Sequence, residues 1–320
     1  MKTISYLTAC AVILALSILF LSNTPAMAQT ARDYFDTATR QAQEGAFDLA
    51  EETFKKAIQL EPAMAGPAYF QLAMACMQHR KPARAVAYYE KALEYNPGEA
   101  VIYVNLANAY MSTGDFDKTV ETYNKIISMN PKEAWPHFNL ANLYLQRGLF
   151  SDAAESFERA VEIDPSKFPG IYEKLGYAHQ MTKNYNRAIK AYEKEVEKNP
   201  KAYMSYYNMG LCYYSLHDLD NALTAYKKAL ELQPKNPEAM TNLGFVYFYK
   251  NELILAENAF QDALVQNPAQ GEALFGMAMV YRQKGRYREA LDYTEKAVAA
   301  GRKVSQDFID SLKLAIEGQS

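Results

Sequence analysis

The chain has 320 residues, 49% hydrophobic and 22% charged, which excludes a disordered polypeptide and leaves ample apolar surface for a folded core. Its net charge of −3 offers no basic face to exchange for counterions, so nucleic acid is not an expected partner, and nothing favours anionic lipid. Tyrosine is strongly over-represented, 25 residues against one tryptophan, and the internal periodicity described below explains most of that skew.

The first 28 residues read as an export signal. Lys2 supplies a positive start, Ile4 to Leu21 is apolar apart from a few hydroxyl residues, and Pro25 stops a helix. Ala26-Met27-Ala28 is a small-x-small cleavage signal, so cleavage is expected after Ala28, leaving a mature chain from Gln29. The alternative is an uncleaved N-terminal membrane anchor, because roughly 20 apolar residues span a bilayer. Cys10 follows Leu7-Thr8-Ala9 but lies inside the apolar stretch and not at its end, so it reads as an ordinary signal residue. The other cysteines, Cys76 and Cys212, lie four repeats apart and are not expected to pair. No Asn-x-Ser/Thr acceptor occurs, which directs the expected location to a bacterial periplasm or the secreted fraction.

From Ala31 the sequence repeats. Prolines stand at 62, 97, 131, 165, 200, 234 and 268, with spacings of 35, 34, 34, 35, 34 and 34. Placing each proline thirty-second in its unit starts repeats near Ala31, Gly66, Ala100, Ala134, Pro169, Tyr203, Pro237 and Gly271. The eighth position is always small: Ala38, Ala73, Ala107, Ala141, Gly176, Gly210, Gly244 and Ala278. The twenty-fourth is aromatic in seven repeats: Phe54, Tyr89, Tyr123, Phe157, Tyr192, Tyr226 and Phe260. An apolar stripe at i, i+3, i+4 and i+7, as in Tyr103, Leu106, Ala107 and Tyr110, predicts a first helix. A turn follows, with glycine at Gly45, Gly114, Gly148 and Gly285, and then a second helix running to the proline, which cannot continue it. Such a hairpin cannot bury its own apolar face, and stacking eight of them forms a continuous core.

A period of 34 with this pattern resembles the tetratricopeptide-repeat (TPR) family over about residues 31 to 302. The resemblance implies an all-α fold, a right-handed superhelix (α-solenoid) of about eight helix–turn–helix repeats spanning 29–302. A C-terminal capping helix and tail follow over 303–320. The eighth repeat departs from the pattern, with Thr294 in place of the aromatic and Arg302 in place of the proline. Glu195 replaces the usual alanine in repeat five, and the two 35-residue spacings add a residue to a connecting turn; both read as adjustments of curvature.

No catalytic or metal constellation is present in the sequence. His79, His137, His179 and His217 fall at four different repeat positions without metal-ligand spacing, and CxxC, phosphate loops and nucleophile elbows are missing. His179 takes a position that other repeats fill with tyrosine and reads as a satisfied core residue. The chain is therefore expected to be no enzyme, with no cofactor, no metal and no small-molecule substrate.

The resemblance further implies that the first helix of each repeat lines a concave groove through its second, fifth, ninth and twelfth positions. Here those positions give an apolar lining that includes Trp135, Phe138, Tyr207 and Tyr214, candidates for peptide binding, with charged residues at a minority of them. The sixth position reads Asp36, Gln71, Asn105, Asn139, Lys174, Asn208, Asn242 and Gly276. It is similar to the asparagine ladder of O-linked N-acetylglucosamine transferase, whose amides grip a peptide backbone, so Gln71, Asn105, Asn139, Asn208 and Asn242 join the candidates. A carboxylate clamp for a chaperone tail is supplied only in part, by Asn108, Asn139 and Lys174, with Val104 and Gly170 at its remaining basic positions. The expected function is a scaffold or adaptor holding a segment of another protein in the groove, in the bacterial envelope. The alternative is a self-assembling structural component of an envelope complex. A membrane enters only if the N-terminal segment stays uncleaved.

Overall fold

The computed structural model describes residues 29–318; the N-terminal segment read as an export signal lies outside the described residues. The chain divides between Pro131 and Lys132 into two compact units, each a series of antiparallel helix pairs. In the first unit the pairs are α1 (Ala31–Gln43) with α2 (Phe47–Leu60), α3 (Ala65–Gln78) with α4 (Pro82–Tyr95), and α5 (Ala100–Thr113) with α6 (Phe116–Met129). In the second they are α7 (Ala134–Gln146) with α8 (Phe150–Ile163), α9 (Ile171–Met181) with α10 (Tyr185–Lys198), and α11 (Tyr203–Ser215) with α12 (Leu219–Leu232). Two further pairs follow, α13 (Pro237–Tyr249) with α14 (Leu253–Gln266) and α15 (Gly271–Gln283) with α16 (Tyr287–Ala299), before a single α17 (Gln306–Glu317). None of the described helices is long and apolar enough to cross a membrane.

Side chains set several of the helix starts. Thr30 and Asp33 form a reciprocal capping box at α1, with the Thr30 hydroxyl accepting from the Asp33 N–H at 3.2 Å and the Asp33 carboxylate accepting from the Thr30 N–H at 2.8 Å. Asp115, Asp218 and Asn236 accept from backbone N–H groups at the starts of α6, α12 and α13. Where the first 35-residue spacing adds a residue, the chain makes a 3-10 turn over Pro62–Met64 before α3 begins.

The turn inside every pair places its fifteenth repeat residue in the left-handed region. Glycine occupies that position at Gly45, Gly114, Gly148 and Gly285, and Arg80, Lys183, His217 and Asn251 adopt the same conformation with φ of 56 to 61°. The four glycines visible in the sequence thus mark a conformation common to all eight turns.

The core is a repeated seat for the twenty-fourth residue. Phe54, Tyr89 and Tyr123 in the first unit, and Phe157, Tyr192, Tyr226 and Phe260 in the second, are almost completely buried, and where the eighth residue is glycine the ring lies against it. In three pairs even alanine is too large for that seat. A Cβ built on Gly176 would lie 2.6 Å from the Tyr192 ring, one on Gly210 2.6 Å from Tyr226, and one on Gly244 2.7 Å from Phe260. Phe260 also abuts Gly276 of the following pair, so one ring fills the gap within its pair and the gap to the next. Removing such a ring costs about 3–5 kcal/mol, because a cavity is left in addition to the lost transfer energy. In the eighth pair Thr294 takes the aromatic's place, buried with its hydroxyl donating to the Ala290 carbonyl at 2.7 Å.

Cys76 and Cys212 are free thiols, one in each unit. Burial pushes them up to about 11 and about 12, so neither is a reactive thiolate near neutral pH.

The turn geometry generates a test. Lys183→Gly relieves a left-handed conformation that costs an L-residue about 1–2 kcal/mol, less about 0.4–1 kcal/mol of added unfolded-state entropy. The expected outcome in urea denaturation is a net stabilisation, and Gly285→Lys at the equivalent turn is expected to destabilise.

Candidate functional site

In the first unit, Gln71 on α3 and Asn105 on α5 are half-buried. The Asn105 amide donates to the Val101 carbonyl of its own helix at 2.8 Å, and Val101 itself is 48% exposed. Phe70 leans against the buried Tyr89, with ring centroids 5.9 Å apart.

In the second unit, Trp135, Phe138 and Asn139 lie on α7, each half-buried. Phe138 stacks face to face on Phe168, at 4.1 Å and 3° between planes, and meets the buried Phe157 edge-on at 5.9 Å. Phe168 belongs to the connection lengthened by the second 35-residue spacing, so the added residue carries a ring over Phe138. Lys174, which interrupts the amide ladder, donates to the Asn142 side-chain carbonyl and sits 5.1 Å above the Phe138 ring. Asn139 has no side-chain hydrogen bond among the described residues.

Further along the second unit the ladder turns inward. Asn208 on α11 is buried at 9% exposure beside Tyr192, whose hydroxyl donates to Gln180 at 2.8 Å. Asn242 on α13 donates to the Tyr207 hydroxyl at 3.0 Å, while the Tyr207 ring lies beside Tyr203 and tilts onto Tyr226, both at 6.0 Å. Burial pushes the Tyr207 phenol up, with the Asn242 bond opposing. Tyr214 packs on Tyr249 at 5.9 Å, and burial raises its phenol strongly.

The candidates therefore divide. Asn105 and Asn242 have partners within the protein and Asn208 is buried, whereas Asn139 keeps its full hydrogen-bonding capacity, and Phe138, Tyr207 and Tyr214 are half-buried, packed on neighbouring rings. Open apolar side chains on first helices include Val101 and Met111 in the first unit, and Tyr177, Met181, Met204 and Tyr249 in the second, with exposures from 41% to 55%. Phe168 and Tyr249 border the same faces and lay outside the sequence-based selection; the lengthened connection was the one signal for Phe168.

Glu195 and His179 are the titratable residues among the buried polar ones of the second unit. Glu195 is buried where other repeats have alanine, and Glu173 nearby has its carboxyl pushed up, chiefly by burial and then by Glu195. His179 is 4% exposed; its Nε2–H donates to Glu158 at 3.1 Å, which assigns the tautomer, and the bare Nδ1 has no partner. The core histidine is thus satisfied on one nitrogen only. Among the described residues no cluster of three or more His, Cys, Asp or Glu could hold a metal.

The model of the "Tetratricopeptide repeat protein 21 N-terminal ARM repeat" matches residues 136–320, and two "Tetratricopeptide repeat" models match residues 77–132 and 35–100. Among solved structures the chain is similar to YrrB, described as a TPR protein with an unusual peptide-binding site. The two share 24% identity over 58% of this chain and 95% of that one, with a TM-score of 0.52. It is similar also to MamA at 28% identity, covering 54% of this chain and 94% of that one, with a TM-score of 0.50. The C-terminal part of a TPR repeat-containing protein from Cytophaga hutchinsonii is 18% identical over 76% of this chain and 99% of that one, with a TM-score of 0.57. The likenesses to YrrB and to the Cytophaga protein are likenesses of fold. No curated protein matches the sequence.

The buried imidazole gives a pH-dependent outcome. Burial holds His179 neutral and its pKa below 6.5, so as pH falls through 6.5 the unfolded chain takes up a proton that the folded chain does not. Stability is lost from about pH 6.5 downward. Other repeats carry tyrosine at this position, and the melting-temperature advantage of His179→Tyr over the unsubstituted chain is expected to grow between pH 7.5 and pH 5. An advantage independent of pH would remove His179 as the titrating group.

Proposed function

The chain belongs to the tetratricopeptide-repeat family, and from that premise we propose that it is an adaptor holding a segment of another polypeptide along its first-helix faces. A protein-interaction scaffold is the general role of such repeats. The observation carrying the specific reading is the set of open apolar side chains on first helices, Tyr177 and Met204 among them, on the unit that also carries Asn139 with its amide unengaged. Exposed methionine and aromatic residues suit the core of an interface, and a free amide can pair with a peptide unit whatever its side chain. The fold carries a peptide-binding site in YrrB, which supports the same use of the scaffold here.

We propose further that the protein works in the envelope or outside the cell and performs no catalysis. The export reading rests on Lys2, the apolar run to Leu21 and the Ala26-Met27-Ala28 signal. The absence of a catalytic constellation from the sequence supports a binding role.

Photo-cross-linking tests both readings. Benzoylphenylalanine in place of Tyr177 or Met204 is expected to capture a specific polypeptide from envelope extract of the host. The same group in place of Ile254 or Val265, exposed on the second helix α14, is expected not to. The substituted protein recovered from the host is itself expected, by mass, to begin at Gln29. Capture through α14 alone would overturn the first-helix reading, and a mass including residues 1–28 would overturn cleavage.

A further inference from the structure

The end of the second unit carries a cavity of about 520 Å³ walled by Phe248, Phe275, Met279, Arg282, Tyr287 and Phe308. Phe275, Met279 and Arg282 come from α15, at the fifth, ninth and twelfth repeat positions, and Phe248 comes from the twelfth position of the preceding repeat. Phe308 is supplied by α17, whose start is fixed by Ser305 accepting from the Phe308 N–H at 3.4 Å. The capping helix thus contributes a wall as well as covering the last pair. Phe275 and Phe308 lie with ring centroids 5.2 Å apart, tilted by 53°.

Two arginines flank these rings, in different electrostatic states. Arg302 lies 5.0 Å from the Phe275 centroid and forms an ion pair with Glu272, so its charge is answered within the protein. Arg282 lies 4.9 Å from the Phe308 centroid, and among the described residues it has no ion pair and no side-chain hydrogen bond. A guanidinium resting on an aromatic face keeps its N–H edge available, and that edge matches a carboxylate in bidentate geometry. The cavity falls within the size range of ligand pockets and is bounded by aromatic faces and a flexible thioether, which accept an aromatic side chain. Apolar volume and an unanswered cation side by side define one chemistry.

We propose that this cavity receives an aromatic side chain of the bound polypeptide, with an adjacent Asp or Glu carboxylate seated on Arg282. The pocket would then act as the acidic–aromatic selector at one end of the first-helix face. The proposal rests on the polypeptide-binding reading above and adds to it the sequence that is preferred.

The test uses the chain labelled at its methionine methyl groups, with capped peptides as probes: acetyl-Gly-Asp-Phe-Gly-Ser-amide and its Asn-Phe and Asp-Ala counterparts. The Asp-Phe peptide is expected to shift the Met279 methyl resonance saturably. The other two peptides, and the Arg282→Gln variant with the first peptide, are expected to bind at least tenfold more weakly. Arg282 is exposed, so the variant's helical circular dichroism is expected to be unchanged. Equal binding of the Asn-Phe peptide, equal binding by Arg282→Gln, or a response confined to other methionines would overturn the proposal. Cross-links at Tyr177 and Met204 with Met279 silent would leave the general reading standing and sink this one. A Met279 response without any cross-linked partner would do the reverse.

Discussion

The fold depends on one arrangement repeated in seven pairs: a buried aromatic ring at the twenty-fourth repeat position with a buried or absent side chain at the eighth, in direct contact at Gly176, Gly210 and Gly244. The ring holds the two helices of a pair together, and Phe260, caught between Gly244 and Gly276, shows that it also joins successive pairs. Stability in such an array is spread among neighbours and not concentrated in a single centre. Other first-helix residues such as Leu72, Leu106, Cys212 and Met277 complete that interior, and the exposed positions between them are left available for a partner.

That division explains the state of the asparagine ladder. Position six lies beside the preceding pair's aromatic, as Asn208 beside Tyr192 and Gly276 beside Phe260 make plain. Where the aromatic is a tyrosine its hydroxyl needs a polar surrounding; Gln180 accepts from Tyr192 and Asn208 is buried alongside. The same residue type therefore serves two ends, completing the core in one repeat and remaining open in another, as at Asn139. Lys174 belongs to this logic too: it is held within the protein by Asn142 and the Phe138 ring.

The helices, their limits and the core seat were legible in the sequence, because prolines, small residues and aromatics recur at fixed spacing and each has a single physical meaning there. The left-handed turns were half legible. Glycine announces the conformation at four of them, while Arg80, Lys183, His217 and Asn251 adopt it under the constraint of the same helix packing and carry no local sign of it. Side-chain pairings were not legible, since whether an amide bonds its own helix, as Asn105 does, or a tyrosine one repeat away, as Asn242 does, is decided by rotamers and neighbours. Phe308 escaped notice as a site residue for a similar reason: a capping helix has the pattern of a solvated end, and only its placement against Phe275 makes it a wall.

The ring-to-small-residue contact is the claim on which the account stands, and a double-mutant cycle in chemical denaturation measures it directly. Gly244→Ala places a methyl group 2.7 Å from the Phe260 ring, and overpacking of this kind costs about 1–3 kcal/mol. In a Phe260→Leu background the same substitution is expected to cost far less, giving a coupling energy of about 1 kcal/mol or more. Additive effects of the two substitutions would mean that the eighth and twenty-fourth positions do not act on one another, and would contradict the account of how these repeats are built.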